Sequence, residues 1–184
     1  MNTMPERKRW RHIVVAIGLL WTWGAVRPDD ASAVMDACKL LTAGEIEAVV
    51  GGKVSIPPRG QSADPRSGMP PSCNIKIGTG PDHVAVSFAQ KTADSDKDKG
   101  DKVLKESLEA SRKQGFKVTE EKRGKSVCYT MIPPASHRAM GYLTSCYAIG
   151  GKGAAFVNVF MHSEGKMIPI SKLMPLTEKA AGRL

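Results

Sequence analysis

Cysteine and histidine are the side chains in this 184-residue chain with the widest chemical reach, and the sequence holds four of each. The cysteines are Cys38, Cys73, Cys128 and Cys146. There is no C-x-x-C, no H-E-x-x-H and no histidine close to a cysteine, so their spacing does not suit a metal site. An even cysteine count in an exported domain predicts two disulfides. Of the three connectivities, the expected one joins Cys128 to Cys146 on neighbouring strands, and Cys38, beside the opening helix, to Cys73 in the first hairpin. His83 opens a strand and is expected to be an edge packing residue. His137 lies in a loop between Ser136 and Arg138, and His162 is followed by Ser163 and Glu164. Consecutive side chains point apart, so neither run makes a triad by itself. A hydrolytic site on His137 or His162 needs an acid brought from elsewhere in the fold. The glycine stretches GTGPDH and GGKGAAF match neither G-x-x-x-x-G-K-[ST] nor G-x-G-x-x-G opening a helix, and are expected to be hairpin turns. No cofactor motif is present in the sequence, and no catalytic residue is named by it.

Compartment sets how those sulfurs are read. Arg7, Lys8, Arg9 and Arg11 precede an apolar run at 13–26, and Ala31, Ser32 and Ala33 form a small-residue cleavage site. This is the layout of a secretory signal peptide over residues 1–33. The run is shorter than the roughly 20 residues of a bilayer span. The expectation is a single exported domain over 34–184, periplasmic or secreted, with no membrane span after cleavage. Five of the 27 basic and three of the 18 acidic residues precede residue 34, so the remainder carries 22 against 15, or +7. A basic exported surface meets anionic envelope components readily. The basic run Lys117, Lys122, Arg123 and Lys125 is interrupted by Glu120 and Glu121 and has no tryptophan beside it, which argues against nucleic acid.

The elements that must position these residues show a repeat. Ser72–Phe88 and Ser145–Met161 align without a gap at an offset of 73, with six identities in 17 positions. Each copy is a predicted β-hairpin: a strand opened by cysteine, a glycine turn, and a return strand alternating valine with other residues. Before the first copy, Thr42 and Glu45 form a capping box, with Leu41 and Ile46 as the hydrophobic staple and Gly51 as the stop, which predicts a helix over 43–50. A strand at 53–56 and an irregular proline-rich loop at 57–71 follow. Between the hairpins the spacing of Val103, Leu104 and Leu108 predicts a charged helix over 95–114, with Asp101 set to pair with Lys105. Gly115 closes it and Phe116 folds back onto its last turn. Strands at 116–120 and 125–132 come next. A final helix is expected over 170–183, where Pro175 fits only in the first turn. The whole predicts an α+β domain: an antiparallel sheet with helices packed on one face, built from two pseudo-repeated hairpin-helix halves.

Asp36 to Glu45, Gly51 and the pair Ser72-Cys73 resemble the opening of small exported bacterial two-disulfide domains: a family of actinobacterial lipoproteins and, more distantly, the extracellular sensor domain of a mycobacterial serine/threonine kinase. The chain differs from them in lacking a lipobox cysteine and in carrying Asn74 and Ile75 where an aromatic residue is expected. The resemblance covers 36–90 and the final helix, and implies a module that binds something in a groove. The leading functional expectation is thus a non-enzymatic exported binding module for a small molecule, an envelope component or a protein partner. The alternatives are a hydrolytic enzyme using His137 or His162, and a secreted inhibitor or assembly factor contacting its partner through loop 57–71.

Overall fold

The computed structural model describes residues 35–64, 66, 69–90 and 97–184. The expected signal peptide lies outside them. Seven strands form one antiparallel sheet: β1 (Val54–Ser55), β2 (Ser72–Ile77), β3 (His83–Gln90), β4 (Lys117–Arg123), β5 (Ser126–Ile132), β6 (Tyr142–Ile149) and β7 (Gly153–Met161). Their order is β1-β2-β3-β7-β6-β5-β4, so the return strands of the two hairpins pair with each other at the centre. Among the described residues three α-helices accompany the sheet: α1 (Ala43–Val50), α2 (Lys97–Lys113) and α3 (Ile170–Ala181). The fold is α+β. Both sheet margins resist further pairing, because β1 has only two residues and β4 (KVTEEKR) is charged and exposed.

Alternation decides what lies on each face. Val84, Val86 and Phe88 of β3 and Ala155, Val157, Val159 and Met161 of β7 all point one way. They share a core with Ile46 of α1 and with Leu173, Met174 and Leu176 of α3. The intervening residues point the other way, where Leu108 of α2 packs with Tyr129, Met131 and Leu143 over the β4–β6 side. The expected cover on one face is therefore supplied by α1 and α3, while α2 lies on the opposite face. Its apolar stripe is narrow, so the charged helix caps only part of the sheet. Phe116 returns to this smaller cluster as expected, after Gly115 at φ 86°. Asp101 does not wait for Lys105. Its carboxylate accepts the Tyr147 hydroxyl at 2.7 Å and lies 3.6 Å from Lys122 Nζ, and burial with that carboxylate holds the tyrosine's pKa well above its usual value.

Both expected disulfides are formed, Cys38–Cys73 and Cys128–Cys146. Cys128 and Cys146 are direct partners across β5 and β6. Cys38 sits in a 3₁₀ turn (Ala37–Lys39) whose entry residue, Asp36, accepts N–H bonds from Cys38 at 2.9 Å and from Gly60 at 3.0 Å. One carboxylate and one disulfide thus fasten both the amino-terminal turn and the proline-rich loop to β2. Gln61 of the same loop exchanges main-chain bonds with Ser72 of β2.

The two hairpins are not identical in build. Cys73 opposes Val86, thirteen residues on, whereas Cys146 opposes Val157, eleven residues on. The helices that follow them also lie on opposite faces of the sheet. Pro175 is the sixth residue of α3 and not in its first turn as expected. It and Ser171, whose carbonyl loses its usual donor, are both exposed, so water can satisfy that carbonyl.

The capping box of α1 is complete: Thr42 N–H donates to Glu45 Oε2 at 2.9 Å, and Glu45 N–H to Thr42 Oγ1 at 3.3 Å. Glu45 does more than the cap requires. Arg183 grips its carboxylate with two bonds of 2.8 and 2.7 Å, and Lys179 reaches it at 2.7 Å, latching the end of α3 to the start of α1. Arg183 first, then Lys179 and the Thr42 amide, hold the Glu45 carboxyl far below the usual carboxylate range. A depressed folded-state pKa gives stability that is complete above the unfolded value of about 4.3 and fades as the pH falls through the folded value. Glu45→Gln is expected to cost about 1 kcal/mol at pH 7, modest because the latch lies at the screened surface. Melting curves of the two proteins from pH 7 to pH 2 should converge in acid, and a constant gap would refute this account.

Candidate functional site

Register brings together a pair of residues that are far apart in sequence. β3 and β7 align with His83 opposite Phe160, so the residues one step further along, Asp82 and the run Met161-His162, meet at the same end of the sheet. Asp82 Oδ1 accepts the main-chain N–H of His162 at 2.8 Å and lies 3.2 Å from its ring Nδ1. Lys166 Nζ is 3.9 Å from Oδ2. Three donors therefore converge on one carboxylate that is itself only 15% exposed.

Lys166 comes from the 3₁₀ turn Glu164–Lys166. The segment after it is pinned to the sheet where buried Thr144 donates its hydroxyl to the Ile168 carbonyl at 2.7 Å. On the other side the turn of the first hairpin is tied to β1, because Gly78 N–H donates to the Lys53 carbonyl at 2.8 Å and Lys53 Nζ pairs with Glu47 at 3.0 Å. Between these walls is an open recess of about 480 Å³. Ile77 and Pro81 supply apolar lining, and Lys53, Asp82, His162 and Lys166 supply its ionisable groups. The glycine stretch GTGPDH is a hairpin turn, as expected, and it also forms one wall of this recess.

The other expected residues are placed elsewhere. His137 lies in the 3₁₀ stretch Ala135–Met140, with Ser136 Oγ 2.7 Å from its Nδ1 and the Phe116 ring 6.1 Å away. His83 packs as expected but not at an edge. It opens an inner strand and stacks on Phe160 with ring centroids 4.6 Å apart. The cysteines are all in disulfides, and among the described residues no group of three or more His, Cys, Asp or Glu is placed to hold a metal. Lys122 and Arg123 of the basic run face Asp101 at 3.6 Å and Glu178 at 3.9 Å. A second, smaller recess of about 350 Å³ lies where β5, β6 and the end of α3 meet, and there Glu178 accepts the Ser126 hydroxyl at 2.8 Å.

Asp82 and Lys166 were not marked by their sequence surroundings. A lone aspartate in a glycine-proline turn is ordinary turn chemistry, and only the β3–β7 pairing turns it into a partner for His162. No helix among the described residues is long and apolar enough to cross a membrane. Comparison with protein-family models, curated proteins and solved structures finds no match.

Proposed function

We propose that this chain is a periplasmic or secreted binding module, related to the small exported domains its opening resembles, that takes up a small ligand in the recess beside Asp82. The observation that carries this reading is the recess itself, about 480 Å³ with walls fixed by β-pairing and the Asp82 contacts. That size falls within the range of ordinary ligand sites, and a recess whose walls are already tied together spares the ligand the ordering of loops. The two disulfides suit the oxidising compartment that export would provide.

The contact between His162 and Asp82 favours a second reading, hydrolysis. A carboxylate on Nδ1 leaves Nε2 as the basic nitrogen, and Ser163 lines the same recess. The binding role is preferred because Asp82 also holds the His162 main chain and faces Lys166, which is the work of a clamp on two loops. Native mass spectrometry of protein recovered from its own secretory compartment should show a noncovalent ligand, and p-nitrophenyl acetate should be cleaved no faster by the wild type than by His162→Ala. A bare mass, or an esterase rate that depends on His162, would reject the binding reading.

A further inference from the structure

Two glycines in the recess have no conformational reason to be glycine. Gly78 takes φ 59°, which favours glycine, but Gly52 and Gly80 are absent from the positive-φ positions. A Cβ on Gly80 would meet nothing within 4 Å, and one on Gly52 would touch only the Ile77 side chain at 3.4 Å. Alanine would fit at either position. Glycine at 52 and 80 leaves those points of the recess wall without a side chain.

The charges around that wall are unequal. Of the four ionisable side chains in the recess two are lysines, Lys53 and Lys166, and the single acid, Asp82, already faces Lys166 and the His162 ring. Both lysines are exposed, but Lys53 pairs with Glu47 at 3.0 Å outside the recess, whereas Lys166 is 3.9 Å from Asp82, which leaves its ammonium within reach of an incoming group. Bare peptide N–H groups beside a cation are a recurrent way of holding an oxyanion, and an apolar floor holds the body that carries it. We infer that the recess binds a small organic anion, a carboxylate or a phosphate monoester on an apolar body, with Lys166 and the Thr79-Gly80 stretch of the turn on the charged group and Ile77 and Pro81 beneath the body. This inference rests on the recess being the binding site and adds the class of ligand.

The test is an amide NMR titration of the folded, oxidised protein with phenyl phosphate, benzoate and the uncharged benzamide. Both anions should shift Thr79, Gly80, His162 and Lys166, the tighter one identifying the headgroup, while benzamide leaves them in place. Lys166→Gln should weaken the tighter anion about tenfold, the scale of one charge-assisted bond. Gly80→Ala should weaken it without changing the melting temperature. If benzamide shifts the same amides as strongly as benzoate, the anion class falls and the recess survives as a binding site. If none of the three probes shifts them while native mass spectrometry still shows a bound ligand, the anion class falls and the binding reading stands.

Discussion

Replacing Cys38 and Cys73 together by alanine is expected to cost about 4 kcal/mol of stability, and replacing Cys128 and Cys146 about 3 kcal/mol. The bridges close loops of 35 and 18 residues, and in the chain-entropy account the longer loop leaves more freedom to regain when the bond is cut. Local structure points the same way. The Cys128–Cys146 pair sits inside the β5–β6 ladder, which keeps those strands in register without it. Cys38 sits in a short 3₁₀ turn, and without its bond to Cys73 that turn keeps only the Asp36 carboxylate bonds and its few buried side chains, with no strand ladder of its own. Removing both bridges approaches the whole stability of a domain this size, about 5–15 kcal/mol. Cys73, Cys128 and Cys146 have no exposed surface, so reductant alone should liberate few thiols until denaturant opens the fold. Urea unfolding of the two double variants checks the order. A larger loss from the Cys128–Cys146 pair would show that local strain or packing outweighs loop length.

Much of this fold was legible because local chemistry and tertiary structure agree. The capping box at Thr42 and Glu45, the stop at Gly51 and the valine alternation in both return strands each specify an element, and each element is found with its bounds within a few residues. The disulfide pairing followed from placing Cys128 and Cys146 on adjacent strands. What could not be read was strand order. Nothing in a hairpin says which other hairpin it will pair with, so the central β3–β7 contact was out of reach, and with it the meeting of Asp82 and His162. The same gap hid the position of α2. Its stripe of Val103, Leu104 and Leu108 shows that one side is buried but not which face of the sheet buries it. Glu45 was visible as a cap but not as the partner of Arg183, 138 residues away.

Gly150→Ala and Gly153→Ala are each expected to cost about 3 kcal/mol, while Gly151→Ala between them stays within about 0.5 kcal/mol. A Cβ on Gly150 would be driven into the Ala181 carbonyl at the end of α3, and one on Gly153 into the Ala89 carbonyl of β3. Both obstacles are main chain, which cannot rotate aside as a side chain can. Gly151 has nothing within 4 Å of its would-be Cβ. Of the two crowded sites, Gly150 should be the costlier. The end of α3 is held by the Glu45–Arg183 latch and by the Ser126–Glu178 bond, whereas Gly153 meets the last residues of β3, where a strand end can splay. These positions also separate chance from cause in the aligned glycines. Gly80 corresponds to Gly153 at the 73-residue offset, yet one is open and the other is pressed against a neighbouring strand. Denaturant melts of Gly80→Ala, Gly150→Ala, Gly151→Ala and Gly153→Ala should therefore fall into two groups, with Gly80 and Gly151 near wild type. If Gly80→Ala is as damaging as Gly153→Ala, the glycine at the recess has a structural role after all, and its bare backbone can no longer be credited to a ligand.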